Sequence, residues 1–260
     1  VTVAQSLLSK ELRLGFLKKL REEYAFERKL HEIKYSKNVS VSYEEAKQNC
    51  IKVDYAKTKA KAPNMYGVYV LDIDINSVKK FIDWQGFVSS WDYKVNVDKL
   101  DHYPKLKEEV GRLLVDGKDV LNELIQQNKL TVKVQFGLFK TRKLDTDDLV
   151  VTYQDKEYKF SFLRNQLDMS NREESSNYCL ADFFDEEDCI GILVVNAGIG
   201  LDKILAELKA DDEIYKMMLT QTLADRIAEA TTEYAHYLIR TKYWGYSCER
   251  ESNSVSELNY

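Results

Sequence analysis

DEIYKMMLTQTLADRIAEATTEYAHYLIRTKYW, residues 212–244, contains neither glycine nor proline. Met217, Ala224, Ile227, Thr231, Tyr234 and Leu238 fall along one stripe of it at steps of seven, three and four. That spacing predicts one long helix, and about thirty residues at 1.5 Å each make a rod of roughly 45 Å. Upstream of it the pattern changes. Cys189 to Val195 is a continuous apolar run, too short for a helix and long enough for a central strand. Val132, Val134 and Phe136 alternate with Lys133 and Gln135, and Leu71, Ile73 and Ile75 alternate with Asp72 and Asp74. A hairpin is expected across Gln154-Asp155-Lys156, with strands over Leu149–Tyr153 and Tyr158–Phe162.

Helical segments are expected around Ser77–Trp91 and from Leu106 to Lys129. Leu7 to Tyr35 reads as one further helix, with Leu12, Phe16, Leu17, Leu20 and Tyr24 at helical spacing and Lys19 and Glu23 four apart on its outer face. Ser36 to Pro63 lacks periodicity and reads as an extended linker, with a boundary near residue 40. Strands joined as hairpins, without regular strand-helix-strand units, give an α+β fold. The expectation is a mainly antiparallel sheet with long flanking helices, preceded by an N-terminal helical tail.

Composition narrows the function. With 44% hydrophobic and 31% charged residues, the 260-residue chain can bury a sizeable core. A net charge of -5, with basic residues dispersed, gives no general attraction to nucleic acid or to an anionic membrane surface. No apolar stretch approaches the length of a membrane span. Cys50, Cys179, Cys189 and Cys248 form no C-x-x-C pair and read as buried or bland thiols suited to the reducing cytosol, so the expected location is cytoplasmic.

The motifs that could carry chemistry are weak when taken singly. Gly198-Ile199-Gly200 has Lys203 where a dinucleotide loop needs its third glycine, so it reads as a tight turn. Asp145, Asp147 and Asp148, and the run Asp185-Glu186-Glu187-Asp188, lack the glycine and closing glutamate of a calcium loop and read as solvated turns. His31, His102 and His236 have no metal-ligand spacing, and no hydrolase elbow is present. No metal site and no catalytic residue are expected in this chain. Asp83 on these grounds is a helix-start acid, and Asp225, Glu229 and Glu233, at four-residue steps, are a solvated helix face.

Three stretches taken together say more. Phe81-Ile82-Asp83-Trp84 with Trp91 downstream, Asn177-Tyr178-Cys179-Leu180-Ala181-Asp182-Phe183, and Leu223-Ala224-Asp225-Arg226-Ile227-Ala228-Glu229-Ala230 continuing to Tyr243-Trp244-Gly245-Tyr246 stand in order along the chain. They resemble the "IDW…W", "NYCLADF" and "LADRLAEA…YWGY" signatures of the activation domain of cobalamin-dependent methionine synthases. The resemblance implies that residues 1–40 are the tail of a cobalamin-binding domain with a linker helix, and that 41–260 are the activation domain, C-terminally incomplete. It implies an activation region of a methyltransferase that binds S-adenosylmethionine for reductive methylation of inactive Co(II) cobalamin.

On the same resemblance, cobalamin is held by the neighbouring cobalamin-binding domain, and a flavodoxin or flavoprotein reductase supplies the electron. Asp83 in "IDW" and Glu229 in "ADRxAE" match carboxylates at the family's S-adenosylmethionine site. Both suit a ligand that carries an ammonium and a sulfonium. The chain departs from the family at Phe139-Lys140-Thr141, where "FPA" is common, and at Gln85-Gly86, where "TP" or "KP" is common. The family's "RPAxGYP" segment is expected beyond Tyr260. The alternative reading is a stand-alone relative that binds a small ligand or a partner protein without methyl transfer. A further alternative is a helix-rich interaction protein that docks through its N-terminal helix.

Overall fold

A computed structural model of the chain describes residues 2–35, 39–57, 61–170 and 176–247. These form two compact units, Val1–Thr58 with Leu144–Leu149 and Phe160–Asp185, and Lys59–Lys143 with Val150–Lys159 and Glu186–Tyr260.

The first unit begins with α1 (Thr2–Leu8) and α2 (Arg13–Tyr35), where a single helix was expected. The interruption has a local cause. Ser9 Oγ accepts a hydrogen bond from the Leu12 amide at 3.3 Å, offering the backbone a start signal where a continuous helix would need an i−4 carbonyl. Part of the expected linker is also helical: α3 spans Tyr43–Gln48. Its start is a capping box in which Ser42 Oγ accepts from the Glu45 amide at 3.2 Å and Glu45 Oε2 accepts from the Ser42 amide at 2.9 Å. The remaining linker residues 36–38 and 58–60, and Cys248 among the thiols, lie outside the described residues.

The centre of this unit is polar. Arg164, with its side chain 2% exposed, donates to Asp147 from Nε at 2.9 Å and Nη2 at 2.6 Å, and to Asp182 from Nη1 and Nη2 at 2.7 Å each. Nη1 also donates to the Asn177 carbonyl at 2.7 Å, the third group that the guanidinium binds. Asp147 was expected on a solvated turn; it is 6% exposed. The guanidinium supplies what water would have supplied. The "NYCLADF" stretch serves the same cluster. Asn177 Nδ2 donates to the carbonyls of Asn165 and Leu167, and the Cys179 amide donates to Asp182 Oδ2 at 2.9 Å. Cys179 is buried and Cys50 half-buried.

The second unit carries the sheet. β1 (Gly67–Ile73) leads through α4 (Ile75–Val78) and a 3-10 turn at Lys79–Phe81 into α5 (Trp84–Ser90), followed by α6 (Pro104–Gln127). The expected continuous helix over Ser77–Trp91 is therefore broken, because Ile82 and Asp83 are extended and set α5 off in a new direction. β2 (Thr131–Lys143), β3 (Asp148–Tyr153), β4 (Lys156–Ser161) and β5 (Glu187–Ile199) complete a five-stranded sheet ordered β1-β2-β3-β4, with β5 also on β2. Both pairings of β2 with β1 and β5 are antiparallel, in registers that place Leu71 opposite Val134 and Val134 opposite Val195. Gln154 and Asp155 make the expected hairpin turn with φ of 49° and 60°, the backbone of a type I′ turn.

β5 is not central. Among the described pairings it meets only β2, and Ile192 and Val194 on its outer face are exposed. A continuous apolar run cannot distinguish a strand covered on both faces from one covered on a single face. After Gly200, whose φ of 95° makes the turn expected there, come α7 (Leu201–Ala210) and α8 (Ile214–Leu238).

α8 closes with one wider π turn over Ile239–Tyr243. Of the stripe read from sequence, Ala224, Ile227 and Thr231 are buried and Met217, Tyr234 and Leu238 half-buried. Leu219, Leu223, Ala230 and Ala235 widen the buried face, and the helix packs on α4, α5, α6, α7, β2 and β5. Tyr243 then sets its ring edge-on to Phe136, centroids 4.8 Å apart, and Trp244 Nε1 donates to the Lys61 carbonyl at 2.6 Å, so "YWGY" fastens the chain that enters β1. No helix of the described residues is long and apolar enough to cross a membrane.

Candidate functional site

Phe81 and Ile82 are buried, 8% and 6% exposed, and they anchor the chain just before α5. The next residue, Asp83, stands at the N-cap of α5 with its backbone extended and its side chain exposed. It occupies a capping position without capping: its carboxylate accepts no backbone amide of α5. Among the described residues it forms no ion pair within 4.0 Å. A carboxylate at a helix N-terminus interacts favourably with the helix dipole.

Asp83 lines a cleft of about 670 Å³ whose walls include Trp84, Gln85, Asn96, Val97, Asp98, Glu229 and Glu233. Gln85 fixes one wall. Its Nε2 donates to the Val95 carbonyl at 2.8 Å and its Oε1 accepts from the Val97 amide at 2.8 Å, clamping the loop that bears Asn96 and Asp98. Asn96 Oδ1 accepts from the Asp98 amide at 2.9 Å. Trp84 lies edge-on to Phe87, centroids 5.4 Å apart, and Lys118 Nζ stands 5.5 Å over its ring.

The opposite wall is α8. Burial of Leu223, Ile227, Ala230 and Thr231 turns Glu229 and Glu233, one turn apart, toward the cleft. Asp225 does not line it. The expected solvated face is thus divided: Asp225 is exposed, and the two glutamates join Asp83 and Asp98 in a four-carboxylate cleft.

One cation answers them. Arg226 donates to both oxygens of Glu229, from Nη1 at 2.6 Å and Nη2 at 2.7 Å, with its side chain 17% exposed against 58% for Glu229. The structure therefore brings together the two site residues singled out in the sequence and adds Arg226, Glu233, Asp98 and Gln85. Glu233 and Arg226, at i+4 and i−3 from Glu229, were within reach of helical periodicity alone. Asp98 and Gln85 carried no local signal.

Two comparisons bear on this arrangement. A family model for the vitamin B12 dependent methionine synthase activation domain matches residues 74–259. A solved structure, described as the crystal structure of the MetH reactivation domain bound to AdoHcy, superposes with a TM-score of 0.76 at 28% sequence identity. That match covers 84% of this chain and 69% of the other.

Proposed function

Because this chain belongs to the vitamin B12-dependent methionine synthase activation-domain family, and so to the setting of a methyltransferase, we propose that its acidic cleft binds S-adenosylmethionine for the reactivation of cobalamin. The observation that carries the reading is the convergence of Asp83 and Glu229, from the start of α5 and the middle of α8, on one cleft. Two carboxylates on facing walls suit a ligand with two cationic centres, the α-ammonium and the sulfonium. Trp84 supplies apolar wall for the nucleoside, and the volume is within the usual range for a small-molecule site, about 300–1,000 Å³. The relative's bound AdoHcy shares the adenosyl and amino-acid ends of this ligand and lends the reading support.

The chain's own residues bind and orient; the methyl group is the ligand's, and the receiving cobalamin is held by the neighbouring cobalamin-binding domain. A flavodoxin or flavoprotein reductase is the proposed electron donor, a partner assigned from family membership. Isothermal titration of S-adenosylmethionine into the protein tests the ligand. We expect saturable binding at one site that weakens on Glu229→Gln. Absence of binding at millimolar ligand would sink the reading.

A further inference from the structure

The guanidinium of Arg226 is in an unusual place for a cleft that is to receive a cation. It forks onto both oxygens of Glu229. It also faces the other carboxylate of the proposed site. A Cβ built on Gly86 would lie 2.6 Å from Asp83 Oδ2 and 2.7 Å from Arg226 Nη1, so the two groups close on the same point beside a residue that has no side chain. The position is not one that fully satisfies Arg226. Its Nε is buried and has no acceptor among the described residues, a cost that a purely structural guanidinium would be expected to avoid.

We propose that Arg226 sets how strongly the cleft distinguishes a sulfonium from a thioether. By neutralising Glu229 it holds down affinity for the ligand that carries a sulfonium beside its ammonium, and it leaves the demethylated form, whose sulfur is neutral, less affected. This rests on the ligand reading above. The physical reason is that the sulfonium would lose its charge as the methyl leaves: the C–S bond would break with its electron pair staying on sulfur, and the reduced cobalamin held by the neighbouring domain would supply the pair for the new bond to the methyl. Attraction felt by the charged reactant and lost along that path deepens the ground state without lowering the barrier. Four uncompensated carboxylates would do so. One guanidinium placed between Asp83 and Glu229 limits it.

The test measures affinities of the 260-residue protein and its Arg226→Gln variant for S-adenosylmethionine and for S-adenosylhomocysteine, which keeps the ammonium and lacks the sulfonium. The readout is the ratio of the two dissociation constants. We expect that ratio to shift about fivefold toward S-adenosylmethionine in Arg226→Gln, the upper part of what a half-exposed ion pair is worth. A merely structural role would weaken both ligands alike, and a contact from Arg226 to the ligand's carboxylate would do the same. Either leaves the ratio unchanged and overturns the proposal.

Arg226→Lys keeps the charge and loses the fork. It should give a smaller shift in the same direction, and it decides the matter if the glutamine variant does not fold. Wild-type protein that binds neither ligand would remove the site reading itself, and the role of Arg226 with it. Wild-type binding with an unmoved ratio removes only the role of Arg226.

Discussion

The two regions in which arginine meets paired acids are built from the same side chains and do opposite things. Around Arg164 every partner is buried: the guanidinium is 2% exposed, Asp147 8% and Asp182 6% on their side chains, and three acceptors share its donors. Around Arg226 one carboxylate is 58% exposed and, among the described residues, the second has no ion pair and one donor is unmatched. Charges enclosed and saturated hold a fold together, because removing any one leaves the others stranded away from water. Charges left partly open can still exchange partners. The difference separates a structural cluster from the proposed site, and the residue types alone do not announce which is which.

The sharpest way to break this contrast is to remove each cation in turn. Arg164→Ala leaves two buried carboxylates unpaired and should lower the stability of the first unit by about 3–5 kcal/mol, measured by urea unfolding. A loss below about 1 kcal/mol, typical of an exposed pair, would show that the Arg164 cluster is no different in kind from the cleft.

The second test is Asp83→Asn, which keeps shape and removes charge. Affinity for S-adenosylmethionine should fall by about 1.5–3 kcal/mol, some ten- to hundredfold, the range for losing a charge-assisted hydrogen bond. Stability should change by no more than about 0.5 kcal/mol, because the side chain makes no capping bond for asparagine to replace. Unaltered affinity in titration calorimetry would take Asp83 out of the site.

The smallest expected effect is the response to acid. Burial pushes the Asp147 carboxyl up, and the hydrogen bonds and charge of Arg164 outweigh it, with Lys47 adding to the effect, so the group is held below the usual carboxylate value. A depressed folded-state pKa contributes stability that is present above the unfolded value, about 3.9, and is lost as pH falls through the folded one. Thermal melts should therefore be flat with respect to this group near neutrality and decline below about pH 4. In Asp147→Asn the part of that decline due to this carboxyl should be absent. An equal decline in the variant would mean that Asp147 is not held by Arg164 as described.

Much of the scaffold was legible before any coordinates. The stripe on α8, the alternation in β1 and β2, the turn at Gln154-Asp155 and the glycine turn at 200 are all local periodicities or local backbone demands, and they appear where expected, except that β1 stops at Ile73 and Ile75 opens α4 behind the Asp74 N-cap. The Ser42-x-x-Glu45 capping box is also present in the sequence, but a helix of six residues is too short to show a hydrophobic period. The break between α1 and α2 was hidden in the same way, since one serine hydroxyl interrupted a pattern that the apolar residues carried straight through.

What near neighbours in the chain could specify was helix, strand and turn, and the family likeness that marked Asp83 and Glu229 as residues to watch. What they could not specify was company. Asp147 read as a solvated turn because it stands in a short acidic cluster of turn-forming residues; its partner Arg164, 17 residues on, reaches it only once the chain has folded. Glu229 and Glu233 read as a polar helix face, and became a wall only when α5 and the loop held by Gln85 were set opposite them. Whether a carboxylate is sealed into a cluster or left facing a cleft depends on the groups that long-range packing brings within a few ångströms, and those distances are set by the assembled core.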